Sequence, residues 1–292
     1  MEQKSLNILI GGEAGQGLVT IGELLLKSLV RQGYSVLVNQ DYESRIRGGH
    51  NTFTIGQAAK APHYLNCNFF NGLHGRSLPV ATAAKLANHE LAVIVESGDG
   101  CNYGEGGNHF LAALRKNPNL TMLVHDNQVY GLTKGQASPT STKGFKSKVQ
   151  PMGNPYRPIA PLALSLSQGC GFVARGFVGK TDHLAGLIQE AINYRGFALI
   201  DILQTCVSFN HVNTWQWYNE RAYILTEDYD PTDWDAAMKK SFEWGDRIPI
   251  GILYRGEEKP TLEDYYPALE AGPLIKQKVK KEALQKAVTH YY

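Results

Sequence analysis

The residues whose types and spacing could do chemistry in this 292-residue chain are Asp99 and Asn127. Gly98-Asp99-Gly100 follows the apolar run ELAVIVES, and Asn127 closes TMLVHDN. Both runs have the composition of buried strands, and open parallel sheets bind ligands at the C-terminal ends of their strands. Residues 101–126 separate the two motifs. That interval holds one loop, one helix and one strand, so the two strand ends can sit side by side and share a cation. A carboxylate, a side-chain amide oxygen and a main-chain carbonyl are hard oxygen ligands, and Mg2+ takes few of these from protein while phosphate oxygens fill the rest of its shell. A bound diphosphate would supply those oxygens. The flanking glycines allow close backbone approach, and Gly106-Gly107-Asn108 at a helix start adds N–H donors. Either motif alone is ordinary turn chemistry after a strand; the pair at this spacing is much more specific.

The surrounding elements follow an alternating order. LPVATAAKLAN and GGNHFLAALRKN have helical spacing, and GFVARGFV and FALIDILQ are apolar strands flanking the helix HLAGLIQEAINYRG. This is the βαβ order of a parallel sheet. Residues 130–161 are rich in Gly, Pro, Ser and Thr with no period, a long loop of the kind kept for function. The last seventy or so residues, with TDWDAAMKKSFEWG and a polar C-terminal helix, look peripheral. At the other end, LNILI, GGEAGQG, LVTIGELLLKSLVRQG and SVLVNQ spell strand, glycine turn, helix and second strand. That turn could aim N–H groups at an anion, but its spacing departs from GxGxxG.

With 43% hydrophobic residues the chain can bury a large α/β core. A net charge of +2, with KQKVKKE as its densest basic stretch, gives no reason to expect nucleic-acid binding. The opening residues are too short in apolar run for a signal core or a membrane span, so no membrane association and a cytoplasmic location are the expectations. The cysteines Cys67, Cys101, Cys170 and Cys206 are scattered, without a CxxC pair, and read as free thiols of a reducing compartment.

The Asp99/Asn127 pair resembles the GDG…N motif by which thiamine-diphosphate enzymes hold Mg2+ and the cofactor diphosphate. On that resemblance the metal ligands are Asp99, Asn127 and the carbonyl of Val129, with Gly98 and Gly100 beside the cofactor. LHGRSLPVATAAKLAN, GDGCNYGEGGNHFLAALRKNPNL, DNQVYGLTKGQASPTS and VNTWQWYNERAY further resemble the β subunit of 2-oxoacid:ferredoxin oxidoreductases from about His63 onward. The resemblance implies oxidative decarboxylation of a 2-oxoacid such as 2-oxoglutarate or pyruvate on thiamine diphosphate, transfer of the acyl group to coenzyme A, and passage of electrons to ferredoxin. The cofactor does the carbanion chemistry and the protein positions it. Tyr130, Gly131, Leu132 and Thr133 would line the diphosphate or substrate side. His74 and Arg76 would steer the 2-oxoacid carboxylate. An α or α/γ subunit is the implied partner and supplies the glutamate that activates the cofactor. The fold expected is α/β, a mostly parallel sheet flanked by helices, with residues 63–225 as the thiamine-diphosphate domain and 226–292 as a C-terminal extension.

Two departures stand out. Residues 1–57 resemble part of the γ domain of the same enzyme family, a partial βαβ segment, with a junction at 58–62. The family's β subunits also begin with a WCPGCG-type segment that this chain lacks, and their 4Fe-4S cluster needs about four thiolates. Cys206 matches the late ligand and Cys67 does not fit an early one, so a cluster in the family manner is not expected from this chain alone. Two alternatives therefore stand beside the catalytic role: a non-catalytic or remnant fusion protein that keeps the fold, and a non-oxidative thiamine decarboxylase or lyase.

Overall fold

The computed structural model describes residues 73–131, 133–278 and 281–290. The γ-like segment, the junction at 58–62, Cys67 and Leu132 lie outside the described residues. The chain alternates from the start: α1 (Ser77–Ala87), β1 (Ile94–Gly98), a π-helical turn (Gly100–Glu105), α2 (Gly107–Lys116) and β2 (Leu120–Asp126). A short hairpin, β3 (Val129–Tyr130) with β4 (Gln136–Ala137), opens the long loop. Then come α3 (Pro161–Ser167), β5 (Phe172–Phe177), α4 (Thr181–Asn193), β6 (Phe197–Leu203), α5 (Trp215–Arg221), β7 (Ala222–Ile224), α6 (Trp234–Ser241), β8 (Ile248–Arg255) and α7 (Lys281–His290).

The main sheet runs β1-β2-β6-β5-β8-β7. Its first four strands are parallel, and every residue of β1, β2, β5 and β6 is buried. Strands covered on both faces are apolar throughout rather than alternating, which explains the runs seen in the sequence. One face carries Ile94, Leu123, Ala174 and Ile200 under α4, whose Leu184, Ile188 and Ala191 recur at helical spacing. The other carries Val95, Met122, Val173 and Leu199 under Leu78 of α1, Phe110 and Leu114 of α2, Leu162 of α3 and Ala237 of α6. Asn117 ends α2 in the left-handed conformation, and its Oδ1 accepts the Phe197 N–H at 2.8 Å, tying the helix end to the start of β6.

The C-terminal extension is less peripheral than its sequence suggests, because β8 pairs antiparallel with β5 and carries β7 at the sheet edge. Pro249 and Gly251 interrupt its apolar run, and such residues demote a strand when only the sequence is in view. Among the described residues no helix is long and apolar enough to cross a membrane.

Candidate cofactor and active site

Because β1 and β2 are adjacent and parallel, with Gly98 level with His125, their ends deliver Asp99 and Asn127 to the same edge of the sheet. Asp99 and Asn127 are both buried to 1% exposure. The backbone between Asn127 and Val129 turns through Gln128 at φ 58°, a left-handed conformation uncommon for a residue with a side chain. Four hydrogen bonds hold that turn. Asp126 Oδ1 accepts Gln128 N–H at 3.2 Å and Asn127 Oδ1 accepts Val129 N–H at 3.1 Å. Asn210 Nδ2 donates to the Asn127 carbonyl at 3.1 Å, and the Ser141 hydroxyl donates to the Gln128 carbonyl. A conformation so over-determined is the kind that binding sites retain.

Below this edge the interior is acidic. Thr140 Oγ1 lies 2.7 Å from both Asp99 Oδ2 and Asp126 Oδ1. Tyr103 donates to Asp201 Oδ1 at 2.9 Å, and Arg175 Nε sits 3.8 Å from Asp201 Oδ2, an ion pair too long to be a hydrogen bond. Burial raises the Asp99 carboxyl above its ordinary range, and burial together with the charges of Asp201 and Asp99 pushes Asp126 well above it. Burial lifts Asp201 to about 6 despite the attraction of Arg175. Of these three buried carboxyls only Asp201 pairs with the Arg175 guanidinium, whose Nε and Nη1 have no hydrogen-bond partner. Buried carboxyls in such excess hold protons unless a cation joins them.

These donors fit Mg2+. The required set is one carboxylate, one amide oxygen and one carbonyl, with phosphate completing the shell. It is a different arrangement from a cage of His, Cys, Asp and Glu side chains, of which there is none among the described residues. On the opposite sheet face His125 lies buried 2.8 Å from Glu96 and 2.7 Å from Gln204 Oε1, bracing β1, β2 and the end of β6.

Over the strand ends lies the π-helical turn. A Cβ on Gly100 would clash with the edge of the Tyr130 ring, which rests on the turn. Gly75 adopts φ 75° and a Cβ there would come within 2.8 Å of the Glu105 backbone. The glycines of HGR and GDG therefore let two loops and an aromatic ring close on one another. His74 Nε2 stands 2.7 Å from Glu105 Oε2, which also accepts the Tyr130 hydroxyl at 3.2 Å. Hydrogen bonding to the Cys101 thiol, joined by the Glu105 charge, raises the His74 pKa against a smaller burial effect. Arg76 is exposed, with Nη1 3.4 Å from the Gly75 carbonyl, and Thr133 is exposed and hydrogen-bonds Gln136 at 2.5 Å. Gly131 begins the turn that Lys134 N–H closes at 3.1 Å.

The sequence reading missed Thr140, Glu105, Asp126, Arg175 and Asp201. The last three had a signal: charges inside otherwise apolar strands are seldom buried without a purpose. Glu105 and Thr140 had none beyond the richness of their loops.

Among the described residues the thiols do not gather into a cluster site. Cys170 lies at the N-terminal end of β5, packed in the core, with its Sγ 3.3 Å from the Phe172 carbonyl. Cys206 lies past the C-terminal end of β6, buried against Val129 and Phe145. Cys170 and Cys206 therefore stand at opposite ends of the sheet and do not share one cluster site.

The comparisons give the class of this parallel sheet with an Asp and an Asn at its first two strand ends: a thiamine-diphosphate-binding domain. The family model for the C-terminal binding domain of thiamine pyrophosphate enzymes matches residues 48–202, and the model for the C-terminal part of the pyruvate ferredoxin oxidoreductase β chain matches 206–271. The chain is 44% identical over 248 residues to a Sulfolobus 2-oxoacid:ferredoxin oxidoreductase subunit beta, covering 78% of this chain and 80% of that one. It is 33% identical to the 2-oxoglutarate synthase subunit KorB of Archaeoglobus fulgidus over 71% of this chain and 82% of that one. A solved 2-oxoglutarate:ferredoxin oxidoreductase from Magnetococcus marinus, with 2-oxoglutarate, coenzyme A and succinyl-CoA bound, superposes with TM-score 0.78 at 30% identity, covering 93% of this chain and 89% of that one. The chain belongs to the β subunits of the 2-oxoacid:ferredoxin oxidoreductases, the thiamine-diphosphate-binding subunits of that enzyme.

Proposed function

We propose that this protein holds Mg2+ and thiamine diphosphate through the Asp99 carboxylate, the Asn127 amide oxygen and the Val129 carbonyl, with Gly98 and Gly100 against the diphosphate. The observation that carries the assignment is the buried acidic edge: Asp99 sits among more carboxyls than Arg175 can balance, beside a turn locked by four hydrogen bonds. Bound thiamine diphosphate supplies the carbanion chemistry by which a 2-oxoacid loses CO2. The chain's own residues bind and orient. His74 and Arg76 steer the substrate carboxylate, while Tyr130, Gly131, Leu132 and Thr133 line the approach. 2-Oxoglutarate is favoured over pyruvate, since several relatives carry its name. The site is completed by an α or α/γ subunit, with coenzyme A taking the acyl group and ferredoxin the electrons, in the cytoplasm. Residues 63–225 form the cofactor domain and 226–292 the extension whose β8 enters its sheet between β5 and β7, with the γ-like residues 1–57 joined at 58–62.

Isothermal titration of thiamine diphosphate with Mg2+ into the full chain, alone and with an α subunit, tests the binding. Mg2+-dependent heat that Asp99→Asn abolishes is expected; equal binding by both proteins would reject the assignment.

The placement of Cys170 and Cys206 supports a second reading, in which the chain keeps the cofactor fold without its own route for electrons. Iron content after anaerobic purification separates the two. About four irons per chain, lost in Cys206→Ala, would restore Cys206 as a cluster ligand, and none would favour the second reading.

A further inference from the structure

The cation site has a support that none of its ligand motifs includes. Thr140 is 4% exposed, and its Oγ1 bridges the two carboxyls, 2.7 Å from Asp99 Oδ2 and 2.7 Å from Asp126 Oδ1, with the Ser138 hydroxyl 3.1 Å away. We propose that Thr140 is a positioning residue of the cation site: it anchors Oδ2 of Asp99 and so fixes the orientation in which that carboxylate meets the metal. The inference rests on Asp99 being a ligand.

The hydroxyl is itself held. Ser138 N–H donates to Ser141 Oγ at 2.8 Å, and the Ser141 hydroxyl passes on to the Gln128 carbonyl. Asn154 Nδ2 donates to the Ser141 carbonyl at 3.0 Å, and Ile159 N–H to the Pro139 carbonyl at 2.9 Å. One short segment, residues 138–141, therefore reaches Asp99 with one side chain and the Asn127-Gln128-Val129 turn with another. Threonine suits this position because its branched Cβ restricts χ1 and keeps the hydroxyl where the loop puts it. The two ligand-bearing strand ends belong to different strands, and this segment fixes the carboxylate of one relative to the turn of the other. An acidic ligand ordered before the metal arrives loses less conformational freedom when it binds.

The test is Mg2+ titration into the full chain at saturating thiamine diphosphate, with thermal unfolding of the same samples. Thr140→Val, or Thr140→Ala should the valine variant not fold, is expected to weaken Mg2+ binding by about threefold to tenfold, the cost of ordering one side chain on binding, with Thr140→Ser restoring it. Unchanged affinity with a lowered melting temperature would make Thr140 merely structural and overturn the proposal. Tighter binding would overturn it too, since it would mean that the hydroxyl chiefly drains charge from the ligand. Asp99→Asn is the separate control: if it leaves Mg2+ binding intact, the ligand assignment fails, whatever the Thr140 variants do.

Discussion

Replacing Arg175 by Met tests the reading of the buried acidic edge most directly, because the structure sets both the size and the pH dependence of the effect. Breaking a buried ion pair generally costs about 3 to 5 kcal/mol, when an uncompensated charge is left behind. Here the charge has an escape. Asp201 lies at about 6 even beside Arg175, so its ionisation in the folded protein is only slightly favourable at neutral pH. Without the guanidinium the carboxyl keeps its proton. The loss from this source is then bounded by the ionisation energy forgone, about 1 kcal/mol at pH 7 and about 3 kcal/mol at pH 8, falling to nothing below pH 6. The sign follows from proton counting: a carboxyl raised above its unfolded value binds more protons when folded, so stability falls as pH rises from about 4 through 6. The variant extends that fall to higher pH. Arg175 is itself lowered by burial, and Nε and Nη1 lack partners, so an apolar replacement also removes a desolvation cost. Denaturant unfolding of the metal-free chain at pH 5.5, 7 and 8 measures this. A loss of 3 to 5 kcal/mol that does not vary with pH would refute the reasoning and show that the charge remains trapped.

Three further outcomes follow from the same geometry. Hydrogen bonding to Cys101 and the Glu105 charge raise His74, so it stays protonated above its ordinary range; if it steers the 2-oxoacid carboxylate, KM should climb as pH rises through that raised value. Glu105→Gln should move the climb toward lower pH with kcat little changed, and an unmoved KM profile in the assembled enzyme would remove Glu105 from this role. Gly100→Ala drives a methyl into the edge of the Tyr130 ring and should cost about 1 to 3 kcal/mol of stability, most of it recovered in Gly100→Ala/Tyr130→Ala; additive losses in a double-mutant cycle would refute the contact. His125→Leu leaves Glu96 buried without its partner and should destabilise by about 3 kcal/mol, with His125→Leu/Glu96→Leu less affected than either single change.

Much of the sheet and its flanking helices could be read from the sequence because strands covered on both faces leave unbroken apolar runs, while helices such as α4 and α2 show their buried stripe at regular spacing. Asp99 and Asn127 were legible for the same reason, since the end of such a run fixes where its next residue points. β8 was not, because Pro249 and Gly251 break the run and its antiparallel partner is more than seventy residues away in β5. Nor was Thr140. A hydroxyl in a loop of Ser, Pro and Thr has no periodic pattern, and what makes it meaningful is a 41-residue separation from Asp99 closed by tertiary folding.

The residues that broke the apolar pattern point to a more general signal. Glu96, His125, Asp126, Arg175 and Asp201 all interrupt strands that are otherwise apolar, and all are buried. Val124, Asp201 and Arg175 are level across β2, β6 and β5, so one face gathers the two charges in a row, while adjacent His125 turns to the other face and meets Glu96. A sheet built only for stability would carry aliphatic side chains there, since well-packed apolar groups of similar volume are often as stable as a buried ion pair or more so. Local violations of the packing rule are expected where function demands them. In this protein Asp126 and Asp201 share the sheet face that leads to Asp99, so the carboxyls that weaken the core there are the ones that would favour a cation at the proposed site.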